Sequence, residues 1–158
     1  MSFVTLAEAK LHLRATDGTD EDALIGVYIA AAEQSAVSLL DRGVYADGTA
    51  LGVARAAAPA ELTAATVTYT EAIAAAQALT DATEQAAATQ AAEYAYLRSK
   101  VAYRQAMDGM VVNDTIKSAV LLIVGHLYAH REDVVAGVSV AKLPNGAEWL
   151  LAPYRVYA

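Results

Sequence analysis

Apolar residues recur at helical spacing through most of this chain, and polar residues mark where each helix begins and ends. Thr5-Leu-Ala-Glu8 has the form of a capping box. The Thr hydroxyl accepts from the backbone N–H three residues on, and the Glu carboxylate reaches back. This predicts a short helix over Leu6–Leu13, broken across Arg14–Thr19 by Asp17-Gly18. Asp20 or Thr19 caps a second helix, with Glu21 and Asp22 in the first turn, where the macrodipole favours acids. Leu24, Val27, Tyr28, Ala31, Ser35 and Leu39 fall on one face of it. Arg42-Gly43 predicts its end near Asp41.

Ala46–Pro59 reads as a loop, punctuated by Asp47-Gly48, Gly52 and Pro59. The stretch from Ala60 to Met107 is rich in Ala, Glu, Gln, Leu and Arg, all good helix formers. It predicts two helices, Ala60–Leu79 and Asp81–Asp108, with Thr80 or Asp81 as the cap between them; one continuous helix is the alternative. Tyr94, Leu97, Val101 and Arg104 share a face of the second, flanked by Tyr96 and Tyr103. Small side chains let helices approach closely but bury little area, so this arm must lean on the core or on a neighbour. Gly109 stops it, and Asn113 or Asp114 caps a helix over Thr115–His130. There Ile116, Val120, Ile123, Val124 and Leu127 form a stripe that Leu121, Leu122 and Tyr128 widen. A helix apolar on most sides is a central one. Val134–Val140 is β-branched and broken by Gly137, which suits a small hairpin or an extended loop. Pro144-Asn145-Gly146 signals a turn, Ala147–Leu151 a short helix, and Pro153 its end.

The fold class expected is all-α: a small helical bundle with a long Ala-rich helical insertion and a short extended or hairpin loop near the C-terminus. Any strand should be confined to about Val134–Leu143. At 158 residues the chain reads as one domain. Its core helices lie in 1–45 and 109–158, and the arm, 46–108, is inserted between them.

Composition narrows the function classes. There is no Cys, which excludes disulfides and thiolate metal sites. Nine Tyr on an Ala-rich chain suit contact surfaces, where a flat apolar ring carries a polar tip. The first residues, MSFVTLAEAK, lack the basic start and apolar run of a signal peptide. The longest apolar run, Ala119–Gly125, falls far short of the roughly 20 residues that span a bilayer. No membrane partner is expected. The net charge of −7 argues against a groove-reading DNA binder, which carries a basic face. An acidic wall would instead repel phosphates and let a duplex slide past.

Candidate chemistry is sparse. His126 and His130 are spaced i, i+4, and with Glu132 they offer a metal reading. No Glu follows the first His, and a hydrogen-bonding or cationic His at a helix end accounts for both. Gly137-Val-Ser139-Val-Ala141 is only a loose nucleophile elbow, because Pro144 follows too soon for the required helix. The acidic run Asp17–Asp22 fails the EF-hand order and serves as helix capping. No enzyme activity, cofactor or metal is expected. The exception to this blandness is the C-terminal tail, where Trp149, Leu150, Leu151, Pro153, Tyr154, Val156 and Tyr157 crowd into nine residues. Such a segment either folds back onto its own core or buries Trp and Tyr in another subunit.

Three stretches together resemble the head–tail connector (adaptor) proteins of tailed bacteriophages. They are Thr5-Leu-Ala-Glu-Ala-Lys-Leu-His-Leu-Arg14 followed by Asp22-Ala-Leu-Ile25, then Ile116–Glu132, then Leu143-Pro-x-Gly with Leu150-Leu-x-Pro-Tyr-Arg155. The Ala-rich arm is longer than the compact pattern of that family. The resemblance implies a structural protein that forms a homo-oligomeric ring, twelvefold in the particle, beneath the portal protein. Such a ring extends the DNA channel, lets DNA pass without sequence-specific binding, and docks the stopper or tail-completion protein. It implies a place at the head–tail junction of the virion after assembly in the bacterial host cytoplasm. It also assigns the portal contact to the last segment, here Leu143, Pro144, Trp149, Leu151, Pro153, Tyr154 and Arg155. Contacts between subunits are expected from Tyr94, Leu97, Val101, Arg131 and Glu132. On this reading the tail of the free subunit is mobile, and its removal leaves the melting temperature nearly unchanged.

Overall fold

The computed structural model describes residues 2–15, 18–130 and 146–157. Among them six α-helices and two very short strands follow in order: α1 (Leu6–Leu13), α2 (Asp22–Leu40), β1 (Val44–Tyr45), α3 (Gly48–Gln77), α4 (Ala82–Met107), β2 (Met110–Val111), α5 (Asp114–Ala129) and α6 (Ala147–Leu151). A single 3-10 turn, Ala152–Tyr154, follows α6. The chain divides into two compact units, Met1–Asp47 with Met110–Ala158, and Gly48–Gly109.

Among its described residues the first unit is all-α apart from β1 and β2, which pair in parallel, Val44 beside Met110 and Tyr45 beside Val111. Strand was expected only near Val134–Leu143, and that segment lies outside the described residues. Met110 N–H donates to Gly43 O and Val112 N–H to Tyr45 O, so this ladder ties the chain after α2 to the chain before α5. The core joins Val4, Ala9, Ile25, Ile29, Leu40, Ile116, Val120, Val124 and Leu151, with alanines between them.

Sequence signals place the helix ends. Thr5 caps α1 with both halves of the capping box made. Asn113 caps α5, its side chain accepting from Ile116 N–H. The C-terminal end of α2 departs from expectation in detail. Asp41, with φ 51°, takes the left-handed position that Gly43 was expected to supply. The buried face of α2 also differs. Ile25, Ile29, Ala32, Ala36 and Leu40 point inward, one residue on from the predicted stripe, and Val27 is 62% exposed. The reason is that α2 is apolar on nearly every side, so periodicity cannot choose a face; packing against α1 and α5 does. By length and composition α2 would also cross a bilayer, but here its inward stripe is core. Glu33, on the same helix, holds the chain start by accepting from Ser2 Oγ at 2.7 Å and from the Phe3 and Val4 backbone N–H groups.

The second unit is a hairpin of two long antiparallel helices. The predicted loop over Ala46–Pro59 is helical from Gly48, and Pro59 lies inside α3. Packing of α3 along α4 holds the helix through Pro59, which has no N–H to offer the carbonyl four residues back, while Thr63 Oγ1 donates to Pro59 O at 2.9 Å. Asp81 caps α4 by accepting from Thr83 and Glu84 N–H. The seam is lined by small residues, with Ala58 and Ala76 buried on α3 and Ala92 buried on α4, so the backbones approach closely. Its one large layer is Tyr69 stacked on Tyr96, with ring centroids 4.8 Å apart.

Candidate functional site

Two surfaces carry the side chains singled out by the sequence. The first is the C-terminal segment. Gly146 starts α6, whose five residues place Leu150 and Leu151 inward. Leu151 is 1% exposed and part of the core, with Ala147, Leu150 and Tyr154 packed around it. The backbone is tied as well. Val156 N–H donates to Leu40 O at 3.0 Å, and the Arg42 guanidinium donates to Tyr154 O at 3.3 Å. The tail is therefore not a free anchor in the subunit. Leu151 is spent on its own core and Tyr154 is half-buried.

The opposite face of the same segment is open. Trp149 is 60% exposed and Tyr157 75% exposed, and Pro153 and Arg155 are exposed beside them in sequence. The Arg155 guanidinium lies 5.1 Å from the Tyr157 ring centroid, a cation–π arrangement that keeps both side chains together. Tyr157 is exposed as well, although it was not among the expected contact residues. Its place beside Arg155 depends on the extended backbone after the 3-10 turn, which no spacing rule predicts. Leu143 and Pro144 lie outside the described residues, as do Arg131 and Glu132.

The second surface is on α4. Tyr94, Leu97 and Val101 do share one face, and all three are exposed. They lie across the helix from Ala92 and the half-buried Tyr96, which face α3. Lys100 Nζ sits 5.9 Å from the Tyr96 ring.

The metal reading gains little geometry. His126 and His130 come together, with ring centroids 4.8 Å apart, but both are exposed at the end of α5. Their third expected partner, Glu132, is outside the described residues. Among the described residues no group of three His, Asp or Glu side chains is placed to hold a metal. The polar contacts near α1 are structural. Lys10 Nζ pairs with Asp22 at 2.6 Å and Lys117 Nζ with Glu8 at 3.3 Å, while Tyr128 donates to Glu21. Hydrogen bonds from the Thr5 backbone and side chain, aided by Lys117, hold the Glu8 carboxyl below its ordinary value.

Compared with known families, residues 3–91 match the family model described as phage gp6-like head–tail connector protein. The match covers more than half of the chain and includes the Thr5–Arg14 and Asp22–Ile25 stretches. It also runs through α3 into α4, so much of the arm lies inside it rather than beyond the family pattern. Ile116–Glu132 and Leu143–Arg155 lie outside the match. No curated protein and no solved structure matches the chain.

Proposed function

The chain belongs to the phage gp6-like head–tail connector family, a structural component of the virion, and from that premise we propose that it forms a ring beneath the portal and docks there through the open face of its C-terminal segment. In this reading the ring is twelvefold to match the portal, continues the DNA channel, and receives the stopper or tail on its other side. Assembly takes place in the host cytoplasm. The net charge of −7 favours passage of DNA without adhesion, since like charge repels the phosphates. A connector of this kind works by contact and needs no catalytic group.

One observation carries the docking face. Trp149 and Tyr157 stand 60% and 75% exposed on a segment whose other side, at Leu151, is locked into the core. A rigid backing lets large rings bury area on a partner at low entropic cost. Arg155 adds a planar fork for a carboxylate or carbonyl. Leu143 and Pro144, which precede α6, are assigned to the same contact. The stripe Tyr94, Leu97 and Val101, together with Arg131 and Glu132, is assigned to contacts between copies.

The test is electron microscopy of the purified protein with its portal. Trp149→Ala with Tyr157→Ala should melt where the parent does, because both rings are exposed, yet lose co-assembly with portal rings. A double variant that joins the portal as well as the parent would overturn the proposed docking face.

A further inference from the structure

Helix α4 keeps its two kinds of charge in opposite halves. Asp81 at its cap, Glu84 and Glu93 precede Arg98, and no Lys, Arg or His occurs among them. Arg98 and Lys100 sit in the second half of α4, both exposed. From Glu84 to Lys100 the helix rises about 24 Å at 1.5 Å per residue. The screening length at physiological salt is ~8 Å, so Glu84 and the basic half of the same helix barely neutralise each other.

The exposed stripe lies between these poles. Tyr94, Leu97 and Val101 are 61%, 52% and 43% exposed, on the side of α4 away from α3. Their spacing makes them a, d and a of a heptad. Glu93 and Lys100 then occupy g positions on one flank, and Glu84 and Arg98 occupy e positions on the other. An apolar seam with charged flanks of both signs is what a helix presents to another helix.

We propose that the stripe meets the same stripe of a second copy, with the two α4 helices antiparallel. Tyr94 of each lies beside Leu97 of the other, and Glu93 of each faces Lys100 of the other. The acidic half of one arm then covers the basic half of its partner. A parallel pair would instead set the acidic halves of both copies side by side and the basic halves likewise, with only the Glu93–Arg98 flank pair in its favour. This inference rests on the assignment of the stripe to contacts between copies and names the partner. The contact is isologous and closes at two copies, so it describes the free protein. It is separate from the head-to-tail contact that a ring repeats. Rings or portal binding can therefore fail while the dimer persists, and the reverse.

Sedimentation of the full chain over a concentration series should show a monomer–dimer equilibrium that weakens with added salt. Leu97→Glu should be monomeric with an unchanged melting temperature, since the side chain is exposed. Glu93→Lys and Lys100→Glu should each weaken the dimer at least tenfold, and the two changes together in one chain should restore it. Because the chain has no Cys, single cysteines report the direction cleanly. Gln90→Cys mixed with Val101→Cys should give the mixed disulfide under mild oxidation. Three results would overturn the proposal: a monomer at every concentration, a dimer indifferent to Leu97→Glu, or a Gln90→Cys variant that links mainly to itself.

Discussion

At Thr5 one hydroxyl and one carboxylate close the start of α1. Thr5 Oγ1 accepts from Glu8 N–H at 3.2 Å, and Glu8 Oε2 accepts from Thr5 N–H at 2.7 Å. These bonds favour the charged carboxylate, so the Glu8 carboxyl is lowered from 4.5 in the folded chain. A lowered folded value means the stabilisation is complete above the unfolded value and is lost as pH falls through the folded one. Glu8→Gln keeps the cap geometry but removes the charge. Its melting temperature should therefore sit slightly below the parent's near neutral pH and converge with it well below pH 4.5. Solvent screening at this exposed site keeps the difference under ~1 kcal/mol. A gap that persists unchanged into acid would place the stabilisation elsewhere. The same scale accounts for a threonine-rich stretch of α3. Thr66-Val67-Thr68-Tyr69-Thr70 has strand-like composition. In the helix the Thr66, Thr68 and Thr70 hydroxyls donate to the carbonyls four residues back, so their polar groups are satisfied.

Among the helices, α5 shows how a periodic stripe is narrowed by its neighbours. The sequence marks Ile116, Val120, Ile123, Val124 and Leu127 as one apolar face. In the fold Ile116, Ala119, Val120 and Val124 are fully buried, Ile123 and Leu127 are half-buried, and Leu122 is 41% exposed. The stripe is real, but its centre lies nearer Val120. Val120→Asp should unfold the protein, because an unpaired buried carboxylate costs several kcal/mol. That is comparable with the ~5–15 kcal/mol by which domains are stable. Leu122→Asp should leave the melting curve nearly in place, and Ile123→Asp and Leu127→Asp should fall between. Equal melting of the Val120 and Leu122 variants would show that α5 is turned differently. On α2 the same method chose a face one residue away from the buried one, since apolar residues surround that helix.

For the whole molecule, the tail matters most, since it is at once a core element and the proposed docking face. Removing Trp149–Ala158 takes away Leu151, the Val156–Leu40 hydrogen bond and the Arg42 contact to Tyr154. Loss of one buried Leu alone costs about 2–5 kcal/mol. The truncated chain should melt well below the parent, contrary to the expectation of a free anchor. A truncated chain that melts with the parent would mean that the segment adds nothing to the subunit. This is why the docking test uses Trp149 and Tyr157 and spares Leu151.

The sequence by itself determined the helix inventory, because caps and breaks are local chemistry: Thr5, Asp81, Asn113 and Pro153 act within a few residues of themselves. It also carried the family, through Thr5–Arg14 and Asp22–Ile25, and the crowding of apolar and aromatic residues at the C-terminal end. Tertiary structure alone decided the rest. It chose which side of α2 is buried, kept Pro59 inside a helix, and paired Val44-Tyr45 with Met110-Val111, residues far apart in the chain. It also divided the tail into an inward Leu151 and an outward Trp149, two residues apart. The physical reason is common to all four. Each depends on a partner distant in sequence, and periodicity records only that a side chain is apolar, not which neighbour will cover it.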